Sequence, residues 1–170
     1  MADPIVLTVL AYAHVLSAVG WLGSALLSMF VLLPGLGTLS QPAKGEFTVK
    51  VMPGILRFIM ITGGSTIVFG LALLYVTVDG DFSQLAPAST FGASISAGMT
   101  IALIAFVLGL AVTTPNFRKI IRIVKEMGEK GAQESPPELG KYLARSRALG
   151  TVNVLLLLVA LGLMVAAGFY

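Results

Sequence analysis

The sequence has no cysteine and little charge: 8 acidic and 11 basic residues make up 11% of its 170 positions, and histidine and tryptophan occur once each. The first absence excludes disulfides, thiolate metal sites, iron–sulfur clusters and thiol catalysis together. The second excludes a water-soluble globule, because soluble domains carry roughly 25% charged residues. Here 56% of residues are hydrophobic and the mean hydropathy is +0.94. The absences are also local. No Asp, Glu, Lys or Arg occurs in Pro4–Ala43, Phe58–Val78, Phe82–Phe117 or Ala148–Tyr170, and each run reaches the ~20 residues that cross ~30 Å of hydrocarbon. The expectation is an all-α fold: one integral membrane antiparallel four-helix bundle with spans of about 5–33, 53–78, 88–114 and 148–170. No connection is long enough to fold a second core, so residues 1–170 form a single transmembrane domain.

Neither terminus carries Lys or Arg. The bases gather around the first connection (Lys44, Lys50, Arg57) and the third (Arg118, Lys119, Arg122, Lys125, Lys130, Lys141, Arg145, Arg147), while the second has only Asp79 and Asp81. The positive-inside rule therefore puts connections 34–57 and 115–147 in the cytoplasm of a multi-pass cell-membrane protein, with both termini outside. The same reading explains a pI near 9.4 without nucleic acid as a partner. The first run lacks a basic leader and is too long for a signal core, so it reads as a retained span.

Helix ends are also written in the sequence. Ser135-Pro136-Pro137-Glu138 has the spacing of a capping box and opens the last helix. Pro115 kinks or ends the third helix. In the arm of about 116–147, Phe117, Ile120, Ile121, Val124 and Met127 share one helical face, with Arg118, Arg122 and Lys125 on the rest. Such a segment either lies on anionic lipid, docks a partner or forms a solvated helical hairpin.

In lipid, small residues mark helix contacts. His14, Ser17, Trp21, Ser24 and Ser28 form one seam on the first helix with Gly20 beside it. Gly63, Thr66 and Gly70 supply a small surface on the second, and Gly92, Ser96, Met99, Leu103 and Phe106 a seam on the third. Asn153 on the fourth is expected to satisfy its amide inside the bundle.

His14 is the one ionisable side chain, tyrosines aside, well inside a span, and so the default functional candidate. It lies about ten residues, ~15 Å, below the outer end, at a depth matched by Met99. A histidine facing a methionine across a bundle suits axial ligation of haem iron or Cu(I) bound by imidazole and thioether, with Met164 able to add a ligand. The plain alternatives are a histidine bonded to a neighbouring hydroxyl or carbonyl and a methionine filling a gap. The outer face offers no Lys or Arg to haem propionates, only Tyr12, Tyr75, Ser89 and Thr90. Arg57 is the nearest base from the other side.

The stretch Tyr12-Ala-His14-Val-Leu-Ser-Ala-Val-Gly-Trp21-Leu-Gly23, running on to Val31-Leu-Leu-Pro34, resembles the first helix of the copper-resistance D-type (CopD-like) membrane proteins. The same order, His then Trp-x-Gly then a proline-ended helix, is similar to the small HemJ-type protoporphyrinogen oxidases. The resemblance covers about 25 residues. It implies a multi-helix bundle in which His14 is a haem or metal ligand, with Arg57 and Thr62-Gly63-Gly64 as family-like features. The third-helix lysine of the HemJ-type enzymes has no counterpart in Phe82–Phe117.

The sequence thus points first to a haem b-binding membrane protein with a redox or electron-transfer role. His14, Met99, Trp21 and Arg57 would surround the haem, and a membrane redox partner or quinone would exchange electrons with it. Copper handling by His14, Met99 and Met164 is the alternative, and a cofactor-free accessory subunit, alone or as a homo-oligomer, a third. No carboxylate lies in a span and no Ser/His/acid set can be assembled, which makes hydrolytic catalysis the weaker reading.

Overall fold

The computed structural model describes residues 3–87, 89–130 and 135–168, and every regular element among them is helical. Helix α1 (Pro4–Leu27) starts where the Asp3 carboxylate accepts from the Ile5 N–H at 2.8 Å and Pro4 takes the first helical position. A π-helical segment, Ser28–Leu32, leads into α2 (Leu33–Thr38). After α3 (Gln41–Lys50), α4 runs from Met52 to Thr77 and ends in a turn with Asp79 at φ 52° and Gly80 at φ 76°. Asp81 caps a 3₁₀ turn over Phe82–Leu85, and Ser89 caps α5 (Thr90–Leu108) by accepting from Gly92 N–H at 2.9 Å. A second π-helical segment, Gly109–Thr113, passes into α6 (Thr114–Lys130), and α7 spans Pro137–Ala167.

The two π-helical segments share a cause. Each ends two residues before a proline, Pro34 or Pro115. A proline lacks the N–H and its ring crowds the carbonyl four residues back, here Phe30 and Ala111. Widening the turn to the i→i+5 pattern relieves that crowding: Leu33 N–H donates to Ser28 and Thr114 N–H to Gly109. The third long helix therefore does not end at Pro115 but continues through it.

The expected capping box does not form. Pro136 occupies the cap position of α7 and no side chain bonds there. With the helix starting at Pro137, Glu138 falls one position too early to reach back. Pro136 and Pro137 have no N–H for Ser135 to accept.

Four continuous helical stretches are long and apolar enough to cross a membrane: Pro4–Thr38, Gln41–Thr77, Thr90–Lys130 and Pro137–Ala167. They associate as two pairs, α1 along α4 and α5 along α7, with thinner contact of α1 on α7 and α4 on α5. The order of contacts is reversed within each pair. His14 meets Gly70 and Gly20 meets Thr62; Gly98 meets Met164 and Gly109 meets Asn153.

A small core joins the pairs: Trp21, Ala105 and Leu157 are buried together. Trp21 stands edge-on to Phe106 with ring centroids 5.9 Å apart at 87°. Glycine at position 63 is what admits the indole, since a Cβ there would lie 3.0 Å from its ring. Asn153 is buried too, but its Oδ1 has no hydrogen-bond partner among the described residues, contrary to the satisfied amide expected.

At the basic end, α6 packs on α7 and α3. Asn116 Nδ2 donates to the Tyr142 carbonyl at 2.9 Å and to Ser146 Oγ at 2.6 Å, and the Lys119 ammonium lies 5.4 Å from the Tyr142 ring centroid. Ile120 is buried and Val124 faces Gly45 of α3, so the apolar face of α6 is covered at least there by its own chain. The pairs Arg122–Glu126 and Lys125–Glu129 are exposed on the other side.

Candidate functional site

Between the two helix pairs lies a cleft of about 470 Å³. Its walls come from residues 14–22 of α1, the second half of α4, residues 91–103 of α5 and the last third of α7, with Thr77, Phe91 and Gly168 at one end and Trp21 and Leu157 toward the other. Nearly all of the lining is aliphatic or aromatic. The polar exceptions on its long walls are His14, Thr66 and Thr77, and no charged residue lines it.

His14 is fixed from two directions. Its Nδ1 lies 2.9 Å from the Thr66 carbonyl oxygen, so that nitrogen carries the proton and donates. The ring also rests on Gly70, where a Cβ would come within 2.8 Å of Cε1 and 2.9 Å of Nδ1. Helical side chains lean toward the N-terminus of their own helix, so His14 leans toward the Thr77 end of the cleft and reaches past Thr66 to Gly70. In the neutral imidazole, Nδ1 then carries the proton and Nε2 the lone pair. No protein group bonds Nε2 among the described residues.

Four of the residues singled out from sequence, His14, Trp21, Met99 and Met164, line this one cleft. Trp21 does so from the closed end, where it is also the centre of the core. Arg57 does not reach it. That residue is exposed near the start of α4, nine positions before Thr66, or ~13 Å along the helix axis. The hydroxyl-bearing Ser17 and Ser24 of the predicted seam are not part of the lining; Ser24 donates back to the Gly20 carbonyl at 2.7 Å. On α5, Gly92 and Ser96 serve the neighbouring turn instead, Ser96 Oγ donating to the Leu85 carbonyl at 2.9 Å.

Two parts of the site escaped the sequence reading. One is the place of the carbonyl that bonds His14: a carbonyl partner was among the plain alternatives, but not one at Thr66 on the paired helix. The other is the seating role of glycines on the partner helices; the Gly63, Thr66, Gly70 spacing marked a small surface without saying what would rest on it.

Chemically, the cleft offers one imidazole nitrogen not bonded to the protein among the described residues and two thioethers in apolar surroundings. Among the described residues no three His, Cys, Asp or Glu side chains come together, so a hard cation has no carboxylate cage here. Soft or borderline metals and metalloporphyrins suit the donors that are there. No family model, curated protein or solved structure matches the chain.

Proposed function

We propose that the protein is a multi-pass integral membrane protein, an antiparallel four-helix bundle that binds haem b in the cleft through His14 and passes electrons to a membrane partner or quinone. The observation that carries this reading is the commitment of His14 Nδ1 to the Thr66 carbonyl, which holds the ring beside an apolar cavity and leaves Nε2 free for a ligand. Ligating histidines characteristically donate their other ring nitrogen to a carbonyl or carboxylate, which orients the ring and raises its basicity. A cavity of about 470 Å³ lies within the ~300–1,000 Å³ usual for ligand pockets.

Bound haem supplies one-electron transfer at a potential set by its axial ligands and surroundings. The chain's own contribution is to hold Nε2 in place, to exclude water with the aliphatic walls, and to close the deep end with Trp21 and Leu157. Propionates would turn toward the Thr77 end; none of Tyr12, Tyr75, Ser89 and Thr90, the hydroxyls considered from sequence, lines the cleft there. Arg57 is out of reach from this cleft, so its sequence-based role as a haem contact is not carried forward. The distribution of basic residues supports an orientation with the α3, α6 and early α7 end in the cytoplasm and both termini outside.

One observation favours a second reading. Met99 and Met164 line the same cleft as His14, and imidazole with thioethers is a Cu(I) donor set. The deciding experiment is an ultraviolet–visible spectrum of the detergent-purified protein, oxidised and dithionite-reduced, from cells supplied with haem precursor. A Soret band with α and β bands that sharpen on reduction, lost in His14→Ala, is expected. A colourless protein that binds Cu(I) would transfer the site to copper, and one that binds neither would leave an accessory subunit.

A further inference from the structure

We infer that the basic-end half of the bundle binds a short file of water, running from Asn153 past the two π-helical segments to Asn116. This site lies on the far side of the core from the cleft and is independent of what occupies the cleft.

Four buried polar atoms in this half have no hydrogen-bond partner among the described residues: Ser28 Oγ, Thr113 Oγ1, Asn116 Oδ1 and Asn153 Oδ1. Asn116 and Asn153 are only 4% and 9% exposed. The register brings the four to one interior strip. Trp21, Ala105 and Leu157 meet in the dry core, and positions three, four, seven or eight residues along a helix return to the same face. Ser28 is seven residues after Trp21, Gly109 and Thr113 four and eight after Ala105, and Asn153 four before Leu157. Direct contacts agree. A Cβ on Gly109 would lie 3.8 Å from Asn153 Nδ2, and one on Gly150, seven before Leu157, would lie 3.1 Å from Met29 Sδ. Asn116, three residues beyond Thr113, faces α7 through its bond to Ser146.

Counted from the core, Asn153 lies ~6 Å toward the basic end, Ser28 ~10 Å, Thr113 ~12 Å and Asn116 ~16 Å. These axial steps of ~2–4 Å fall within the ~5.5 Å that one water spans with two hydrogen bonds of about 2.8 Å.

The unmet hydroxyls are specific to the π-helical segments. Thr62, Thr66, Thr100 and Thr151 donate to the carbonyl four residues back. Ser28 opens one π-helical segment and Thr113 closes the other, and neither hydroxyl makes that bond. Each segment also runs into a proline, which withholds an N–H from a carbonyl one turn back. Ordered water is what meets such groups in membrane helices.

The donor and acceptor chemistry selects water over an ion. The two amide oxygens only accept, so their ligand must donate, which an anion does not. A cation would find no carboxylate in Pro4–Ala43, Phe82–Phe117 or Ala148–Tyr170, and Lys119, Arg145 and Arg147 stand at the open end; an unpaired buried charge is costly. Water both donates and accepts, and an internal water makes about three such bonds. The apolar core then stops the file, so that Trp21 separates a wet half of the bundle from the apolar cleft.

The experiment is X-ray hydroxyl-radical footprinting of the full chain in detergent micelles, in which radicals formed from bound water oxidise the side chains beside it. Met29, with its sulfur against Gly150, is the reporter, read as methionine sulfoxide by mass spectrometry. Its oxidation in wild type should fall about fivefold or more in Asn153→Leu and in Thr113→Val, with Met164 in the cleft unchanged. Trp21 fluorescence checks that each variant is folded, and Ser28→Ala, which removes a single oxygen, takes the place of one that is not. An unoxidised Met29 in wild type, or oxidation that the folded variants leave unchanged, would show a dry seam and overturn the inference. An unfolding midpoint raised by sodium chloride but not by choline chloride at equal concentration, and lost in Asn153→Leu, would place a cation there and overturn it as well.

Discussion

Gly70→Ala tests the site at its most constrained point. The new methyl would lie 2.8 Å from His14 Cε1 and 2.9 Å from Nδ1, whereas unstrained carbon contacts fall at about 3.5–4.0 Å. The ring must therefore retreat by roughly 0.7 Å, which lengthens its 2.9 Å bond to the Thr66 carbonyl toward ~3.5 Å, where little of it remains. That bond in a membrane interior is worth about 0.6–2 kcal/mol, and overpacking adds about 1–3 kcal/mol. Replacing a helical glycine returns up to about 1 kcal/mol. The net expectation is a loss of about 0.6–5 kcal/mol, centred near 3 kcal/mol, or about two powers of ten in the folding equilibrium.

Gly162→Ala is the control: it lies in the half of α7 that lines the cleft, with no atom within 4 Å of its Cβ position. It should be neutral or slightly stabilising. Reversible unfolding in mixed detergent and denaturing surfactant, followed by Trp21 fluorescence, measures both variants. Equal stability for the two would refute the seating of His14 on Gly70. On haem-loaded protein, Gly70→Ala should also weaken occupancy, with about 1.4 kcal/mol for each tenfold loss.

Trp21→Ala removes the largest member of the small core and should cost about 3–5 kcal/mol, read as a lowered unfolding midpoint; a loss under 1 kcal/mol would mean that the pairs are joined elsewhere. Asn116→Ala deletes the donor to Tyr142 and Ser146 and should cost about 1–2 kcal/mol, seen as faster amide exchange over residues 137–147 with the cleft unaffected. Asp81 answers to pH. Hydrogen bonds from the Ser83 hydroxyl and N–H hold its carboxyl below the ordinary 3.8, so the turn is stabilised above that value and loses the contribution as pH falls through the lowered one. Asp81→Asn should abolish this acid sensitivity in amide exchange over residues 79–86, and an unchanged profile would rule it out.

Much of the architecture was legible because charge is excluded from lipid so strongly that the four charge-free runs mark the long helices directly. The seam through His14 and Trp21 was legible as well, since small and polar residues at helical spacing have little reason to face lipid. The pairing of α1 with α4 and α5 with α7 was not, because any of the helices has a face rich in small residues. The π-helical segments were hidden for a related reason: proline announces a disturbance but not whether the helix breaks or widens. In the site, Met99 stood out by depth counted on Cα atoms. The packing of Met164 on Gly98 has no signature in one sequence. The unbonded Oδ1 of Asn153 shows the same limit, since a buried amide predicts a need for partners and not their presence.

The division into two pairs has a mechanical consequence. Each pair is zipped along its length, whereas the pairs meet around Trp21, Ala105 and Leu157 and, at the basic end, through α3 on α6, so that cluster bounds the joined half and the cleft is the gap between two arms. The arms carry little that would hold them at a fixed spacing on the His14 side. Whatever occupies the gap therefore sets its width, and a molecule gripped by both arms would act as the missing fourth wall of the core, stiffening half of the protein that the polypeptide alone leaves compliant.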